Sequence, residues 1–166
     1  IDIKGGTLTV NGNIRRSGTS GGILRYSQSG SSSVKINGRG SLVTNGKLEI
    51  LNTGSVFNMS GTSTLTIVRG GGTSAFGDLY LRPETSTVTG GTILLKTATG
   101  ITAAEEIFKI DASVPVNNLV ISGLTGDLAK GSLSVNPLVL KGDLTIENTF
   151  SSLTSNNLNL SIGGNF

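Results

Sequence analysis

The chain has 166 residues, 13 Lys and Arg against 10 Asp and Glu, and neither His nor Cys. That composition excludes His-based triads, proton shuttles and zinc sites, and with them thiolate metal centres and disulfide frameworks. The net charge of +3 is scattered singly, with no block longer than Arg15-Arg16, and there are two Tyr and no Trp. A nucleic-acid surface instead clusters basic residues and interleaves aromatics, so no nucleic-acid partner is expected.

Gly, Ser, Thr and Asn number 25, 21, 20 and 14, together 80 of 166 residues, a composition that favours strands and turns over helices. Leu, Ile, Val and Phe still number 50, about 30% and well above the roughly 20% below which chains stay disordered. The chain opens at Ile1 without a charged-then-apolar leader. No apolar run approaches the roughly 18 residues of a membrane span, so no membrane insertion is expected. Alternation is already under way at Ile1-Asp-Ile3, and Gly163-Gly-Asn-Phe166 reads as a turn beginning. We therefore expect residues 1–166 to be one segment of a much longer polypeptide.

In chain order, an apolar-x-apolar phrase recurs at Leu8-Thr-Val10, Val34-Lys-Ile36, Leu48-Glu-Ile50, Leu65-Thr-Ile67, Leu79-Tyr-Leu81, Leu133-Ser-Val135, Leu144-Thr-Ile146 and Leu160-Ser-Ile162. Between these lie Ile23-Leu24, Leu42-Val43, Val56-Phe57, Ile93-Leu-Leu95, Phe108-Lys-Ile110 and Leu119-Val-Ile121. Strand signals at such spacing fit a sandwich, a barrel or a solenoid. Reuse of one phrase along the chain favours the solenoid, and the uneven spacing argues against strict hexapeptide or nonapeptide repeats. The expected fold is all-β: a right-handed parallel β-helix (β-solenoid) of irregular coil length, whose corner loops can grow without disturbing the stack.

Alternation then predicts which side chains point in. Leu8, Val10, Val34, Ile36, Leu48, Ile50, Leu65, Ile67, Leu79, Leu81, Leu144, Ile146, Leu160 and Ile162 should stack inward. Thr9, Lys35, Glu49, Thr66, Tyr80, Ser134, Thr145 and Ser161 should face out, and Lys35 would pair with Glu49 if their strands are neighbours. Asn11-Gly12, Asn37-Gly38 and Asn45-Gly46 read as corners, because both residue types tolerate positive φ. Antiparallel hairpins would use the same dipeptide and remain an alternative. Only Thr102-Ala-Ala-Glu-Glu-Ile107 reads as a helical turn, and Pro83, Pro115 and Pro137 should mark strand ends.

The chemistry is sparse. Glu105 and Glu106 are adjacent and should diverge, while Asp127 and Asp143 each follow a glycine in a turn. Asp78, Arg82 and Glu84 could come together, but a strand-end turn at Pro83 explains them as well. Glycan cleavage would need two or three carboxylates, or carboxylates with Lys or Arg, converging on one face. Gly70-Gly-Gly-Thr-Ser-Ala75 resembles a loose dinucleotide fingerprint but precedes no amphipathic helix and reads as a corner. Calcium-binding repeats are absent, and the sequons Asn58-Met-Ser60 and Asn159-Leu-Ser161 are common in so Asn- and Ser-rich a chain. No catalytic, cofactor-binding or metal-ligating residue is assigned.

Gly142-Asp-Leu-Thr-Ile-Glu147, Asn159-Leu-Ser-Ile-Gly-Gly-Asn-Phe166 and Gly5-Gly-Thr-Leu-Thr-Val-Asn-Gly-Asn-Ile14 resemble the repeats of very large secreted surface proteins of Bacteroidetes. That group includes the adhesins of gliding bacteria exported by the type 9 secretion system. The resemblance implies an extracellular, cell-surface location and a non-enzymatic role as shaft or adhesin. Surface polysaccharide, a substratum, or the secretion and motility machinery would be its partners, and no family binding residue carries over. The alternative is a β-helical carbohydrate-active enzyme or carbohydrate-binding segment whose site lies outside this piece. Outward Asp with Lys or Arg over three neighbouring rungs would favour that alternative. Ice or crystal-surface binding would need Thr7-Leu-Thr9 and Thr64-Leu-Thr66 in register on one flat face.

Overall fold

A computed structural model describes residues 1–15, 22–38, 46–71, 78–97 and 105–166. All regular elements among them are strands. In chain order these are β1 (Asp2–Ile3), β2 (Thr7–Val10), β3 (Ile14–Arg15), β4 (Arg25–Gln28), β5 (Ser33–Ile36), β6 (Leu48–Met59), β7 (Thr64–Val68) and β8 (Leu79–Val88). There follow β9 (Thr92–Lys96), β10 (Glu105–Ala112), β11 (Asn118–Ser122), β12 (Leu128–Leu133), β13 (Leu138–Leu140), β14 (Leu144–Ile146), β15 (Ser151–Thr154) and β16 (Leu160–Ile162). No helix among the described residues is long and apolar enough to cross a membrane.

The strands form an eight-stranded sheet (β1-β4-β6-β8-β10-β12-β15, with β3 beside β6), a six-stranded sheet (β2-β5-β7-β9-β11-β14) and the pair β13–β16. Among the described residues every strand pairing is parallel; an antiparallel bridge from Leu124 to Asp127 closes a turn. Parallel neighbours require a crossover and cannot be joined by two-residue hairpins, so the hairpin alternative is excluded. The chain is a parallel β-solenoid.

Register shows how the phrase builds a core. On the six-stranded sheet Leu8 lies on Val34, then Leu65, Ile93, Leu119 and Leu144, and beside that file run Val10, Ile36, Ile67, Leu95, Ile121 and Ile146. On the eight-stranded sheet Ile14, Leu48, Leu79, Ile110 and Leu133 make a third file. The predicted inward residues all belong to the apolar cluster, those near the two ends of the stack being only partly buried. Burying one such Leu or Ile contributes about 1.5–3 kcal/mol, and the files make that gain continuous along the axis. Tyr26 stacks on Phe57 inside the coil, centroids 5.8 Å apart. Its hydroxyl donates to Gln28 Oε1 at 2.6 Å, and Gln28 Nε2 in turn donates to the carbonyls of Ser32 and Thr64.

Coil length is irregular, as expected. Thr7 lies on Ser33, Ser33 on Thr64, Thr64 on Thr92 and Thr92 on Asn118, steps of 26, 31, 28 and 26 residues. The corner leading into the six-stranded sheet stays tight throughout. There Gly30 (φ 64°) and Gly61 (φ 68°) are left-handed, and a Cβ on Gly61 would stand 2.7 Å from the Gly30 carbonyl oxygen. Only glycine meets both the dihedral and the close approach. The corner hydrogen-bonds from rung to rung: Thr62 N–H donates to Gly30 O and Gly91 N–H to Gly61 O, each at 2.9 Å.

Several expectations need correction. Lys35 and Glu49 lie on different sheets; the rung neighbours of Lys35 are Thr9 and Thr66. Glu105–Ile107 belong to β10 and pair with Leu128–Lys130, because parallel pairing outweighs a short helical propensity there; residues 102–104 lie outside the described residues. Pro83 sits inside β8, opposite Asn52, where the β6–β8 register shifts between Asn52 and Val56. Such an irregularity is one of the few places a sheet accepts proline. Val135 is 57% exposed, since β12 ends at Leu133. Ile23 is likewise exposed. Leu42-Val43 and Asn45 lie outside the described residues.

Candidate functional site

Two outward surfaces carry the chemistry. The first is the outer face of β6, β8 and β10. Register stacks Arg15 on Glu49, Glu49 on Tyr80 and Tyr80 on Asp111. Two residues earlier, Lys47 comes level with Asp78 and Asp78 with Lys109, since Leu48, Leu79 and Ile110 are paired. Acids and bases therefore alternate over three neighbouring rungs, the pattern that a glycan-cleaving enzyme would need.

Their surroundings differ from those of an open active site. Glu49 and Tyr80, expected to face solvent, are 5% and 6% exposed, and Asp78 and Asp111 are 0% and 2%. Alternation sets the direction of a side chain and leaves its burial to the packing outside the sheet. A buried charge must be paired, and these are. Lys47 Nζ lies 3.8 Å from Glu49 Oε2. Asp78 Oδ2 accepts the Lys109 backbone N–H at 2.8 Å. Asp111 takes Arg82 on Oδ2 and Asn136 Nδ2 on Oδ1, both at 2.6 Å, and the Arg82 guanidinium lies 5.2 Å from the Tyr80 ring centroid. Burial pushes the Lys47 ammonium below its ordinary pKa, with Glu49 and Asp78 pulling the other way.

The trio Asp78, Arg82 and Glu84 does not converge. Arg82 and Asp78 bind β10 as described, whereas Glu84 accepts the Gly54 N–H at 2.6 Å and closes the irregularity in β6. Glu105 and Glu106 diverge as expected: Glu105 is exposed and pairs with Lys130 at 3.3 Å, and Glu106, 4% exposed, accepts the Gly70 N–H. Gly71 N–H donates to Ile107 O at 2.6 Å, so this part of the glycine run is a rung corner; residues 72–75 lie outside the described residues. Asp127 closes the turn with Leu124, and Asp143 Oδ1 accepts the Asn165 N–H. Asn58 of the first sequon has both amide atoms engaged, with Ser27 and with the Thr87 N–H. Among the described residues no group of three or more acids is placed to hold a metal ion.

The second surface is the outer face of the six-stranded sheet. A groove of ≈ 720 Å³ there is lined by Lys35, Arg69 and Lys96 together with Asn11, Asn37 and Thr66, and no acidic residue lines it among those described. Lys35 is exposed and Lys96 half-buried. Composition could not announce this grouping, because the three cations are at least 27 residues apart in sequence; only the register, unknowable from one irregular repeat, gathers them. The threonine rows are interrupted on the same face, where Thr9 and Thr66 are separated by Lys35 and followed by Leu94. Comparison with known proteins finds no match among family models, curated proteins or solved structures.

Proposed function

We propose that this chain is a non-enzymatic segment of a large bacterial surface protein, serving as a rigid shaft with an adhesive flank. The reading rests above all on one observation: the strands, the tight corners and several outward charges are bonded from rung to rung. Tension along the coil axis would be shared by many parallel hydrogen bonds, and the clasps Arg82–Asp111 and Asp78–Lys109 add to them on one face. An extracellular, cell-surface setting, and type 9 export in a gliding bacterium of the Bacteroidetes, follow from the resemblance of the repeats. Surface polysaccharide or a substratum would then be the partner. The test is single-molecule pulling of the segment between folded handle domains. A shaft extends in cooperative steps at high force; gradual extension at low force would count against it.

The acid-base ladder favours a second reading, a glycan-cleaving β-helix using Asp78 with Lys47 and Lys109. Incubation with a panel of acidic polysaccharides, read by new chain ends, separates the two. The shaft reading predicts no cleavage. Cleavage that disappears on Asp78→Asn with the fold retained would replace it.

A further inference from the structure

We infer that the groove over the outer face of β5, β7 and β9 binds an extended anionic polysaccharide running along the coil axis. The inference deepens the adhesive half of the proposed function and rests on it. A shaft that bears load yet takes no acidic glycan would fail here without failing there.

Charge is the first ground. Lys35 and Lys96 have no ion pair or side-chain hydrogen bond among the described residues, and Arg69 adds a third positive charge to a groove without acids among its described lining. On the eight-stranded sheet several cations are paired instead: Lys47 with Glu49, Arg82 with Asp111 and Lys130 with Glu105. Lys35 and Lys96 thus stay available for an incoming anion.

Spacing is the second. Lys35 is level with Thr66 and Leu94, and Lys96 lies two residues beyond Leu94 on the same face. Two rungs across and two residues along put the two lysine Cα atoms roughly 12 Å apart. Rungs recur every ~4.8 Å, close to the rise of one sugar in an extended chain, so an axial glycan meets a cation about every second residue.

Polar matching is the third. Asn37 and Thr66 line the groove, and Thr97, 2% exposed, has a hydroxyl with no hydrogen-bond partner among the described residues. These groups suit sugar hydroxyls. Among the described residues no aromatic side chain lines the groove, whereas single-stranded nucleic acids depend on aromatic stacking; the polyanion proposed is therefore a glycan.

Binding of the chain to polygalacturonate, to dextran sulfate, to fully methyl-esterified polygalacturonate and to an oligothymidylate tests this by calorimetry at two salt concentrations. Salt-sensitive binding to either acidic glycan, with at least tenfold weaker binding to the ester and to the oligonucleotide, is the expected result. Lys35→Gln with Lys96→Gln should weaken it roughly tenfold, as loss of two ion pairs worth up to about 1 kcal/mol each would. Lys4→Gln with Lys130→Gln removes the same charge elsewhere and should leave it unchanged. Absence of binding to both acidic glycans, equal binding to the oligonucleotide, or equal losses in the two double variants would each overturn the inference.

Discussion

Lys47 and Lys35 both project from the outside of a parallel sheet, yet one has 9% of its side chain exposed and lies beside Glu49 while the other stands open over a groove. Over β6, β8 and β10 the eight-stranded sheet buries Lys47, Glu49, Asp78 and Asp111 beside their partners; the six-stranded sheet leaves Lys35 at the surface. The difference teaches that alternation settles only in or out. Whether an outward charge acts as a clasp or as a ligand contact is decided by what stands on the rungs above and below it.

The contrast can be broken by substitution. Asp78→Ala should be the most damaging change, because it leaves the Lys109 N–H without its acceptor in a buried place and Lys47 with Glu49 as its one remaining neighbouring carboxylate. A loss of about 3–5 kcal/mol is expected, measured by denaturant unfolding; a loss under 1 kcal/mol would show the face to be effectively open. Next comes the Arg82–Asp111 pair. The half-exposed Arg82 tempers it, so a double-mutant cycle should return a coupling of about 1 kcal/mol.

A pH series sharpens the comparison further. The folded pKa of Lys47 is depressed below its unfolded value, so between the two the unfolded chain binds more protons and stability rises with pH. Burial moves the Tyr26 hydroxyl the opposite way. Above about pH 10 the unfolded chain loses that proton first and stability falls. Melting temperature against pH should therefore climb toward about pH 10 and then decline. Lys47→Met should flatten the climb and Tyr26→Phe the decline. The smallest effect belongs to the open face: Lys35→Ala should change stability by no more than about 0.5 kcal/mol.

Much of the fold was legible in the sequence. The apolar phrase marks its own inward pair, and Leu65 and Ile67 lie in the core for the reason that Thr66 lies outside it. The pairing of rungs was not legible, because 11 residues without a register signal separate Ile36 from Leu48 and nothing local says that Leu48 stacks on Ile14 rather than on Val34. Both candidate surfaces are products of that register. Glu49 and Tyr80 look like solvent-facing residues in the alternation and become part of a buried ladder only once Arg15 and Asp111 are set beside them.

The two kinds of corner in this coil divide labour. From Met59 to Thr64 and from Val88 to Thr92 the passage is always brief, whereas from Ile36 to Leu48 and from Val68 to Leu79 it runs long. The brief passages thus act as a fixed spine, while chain length varies between Ile36 and Leu48 and between Val68 and Leu79. Foreign peptides inserted in those two stretches would be anchored on successive rungs whose heights the spine sets, which suits the segment to ordered presentation of epitopes or enzymes.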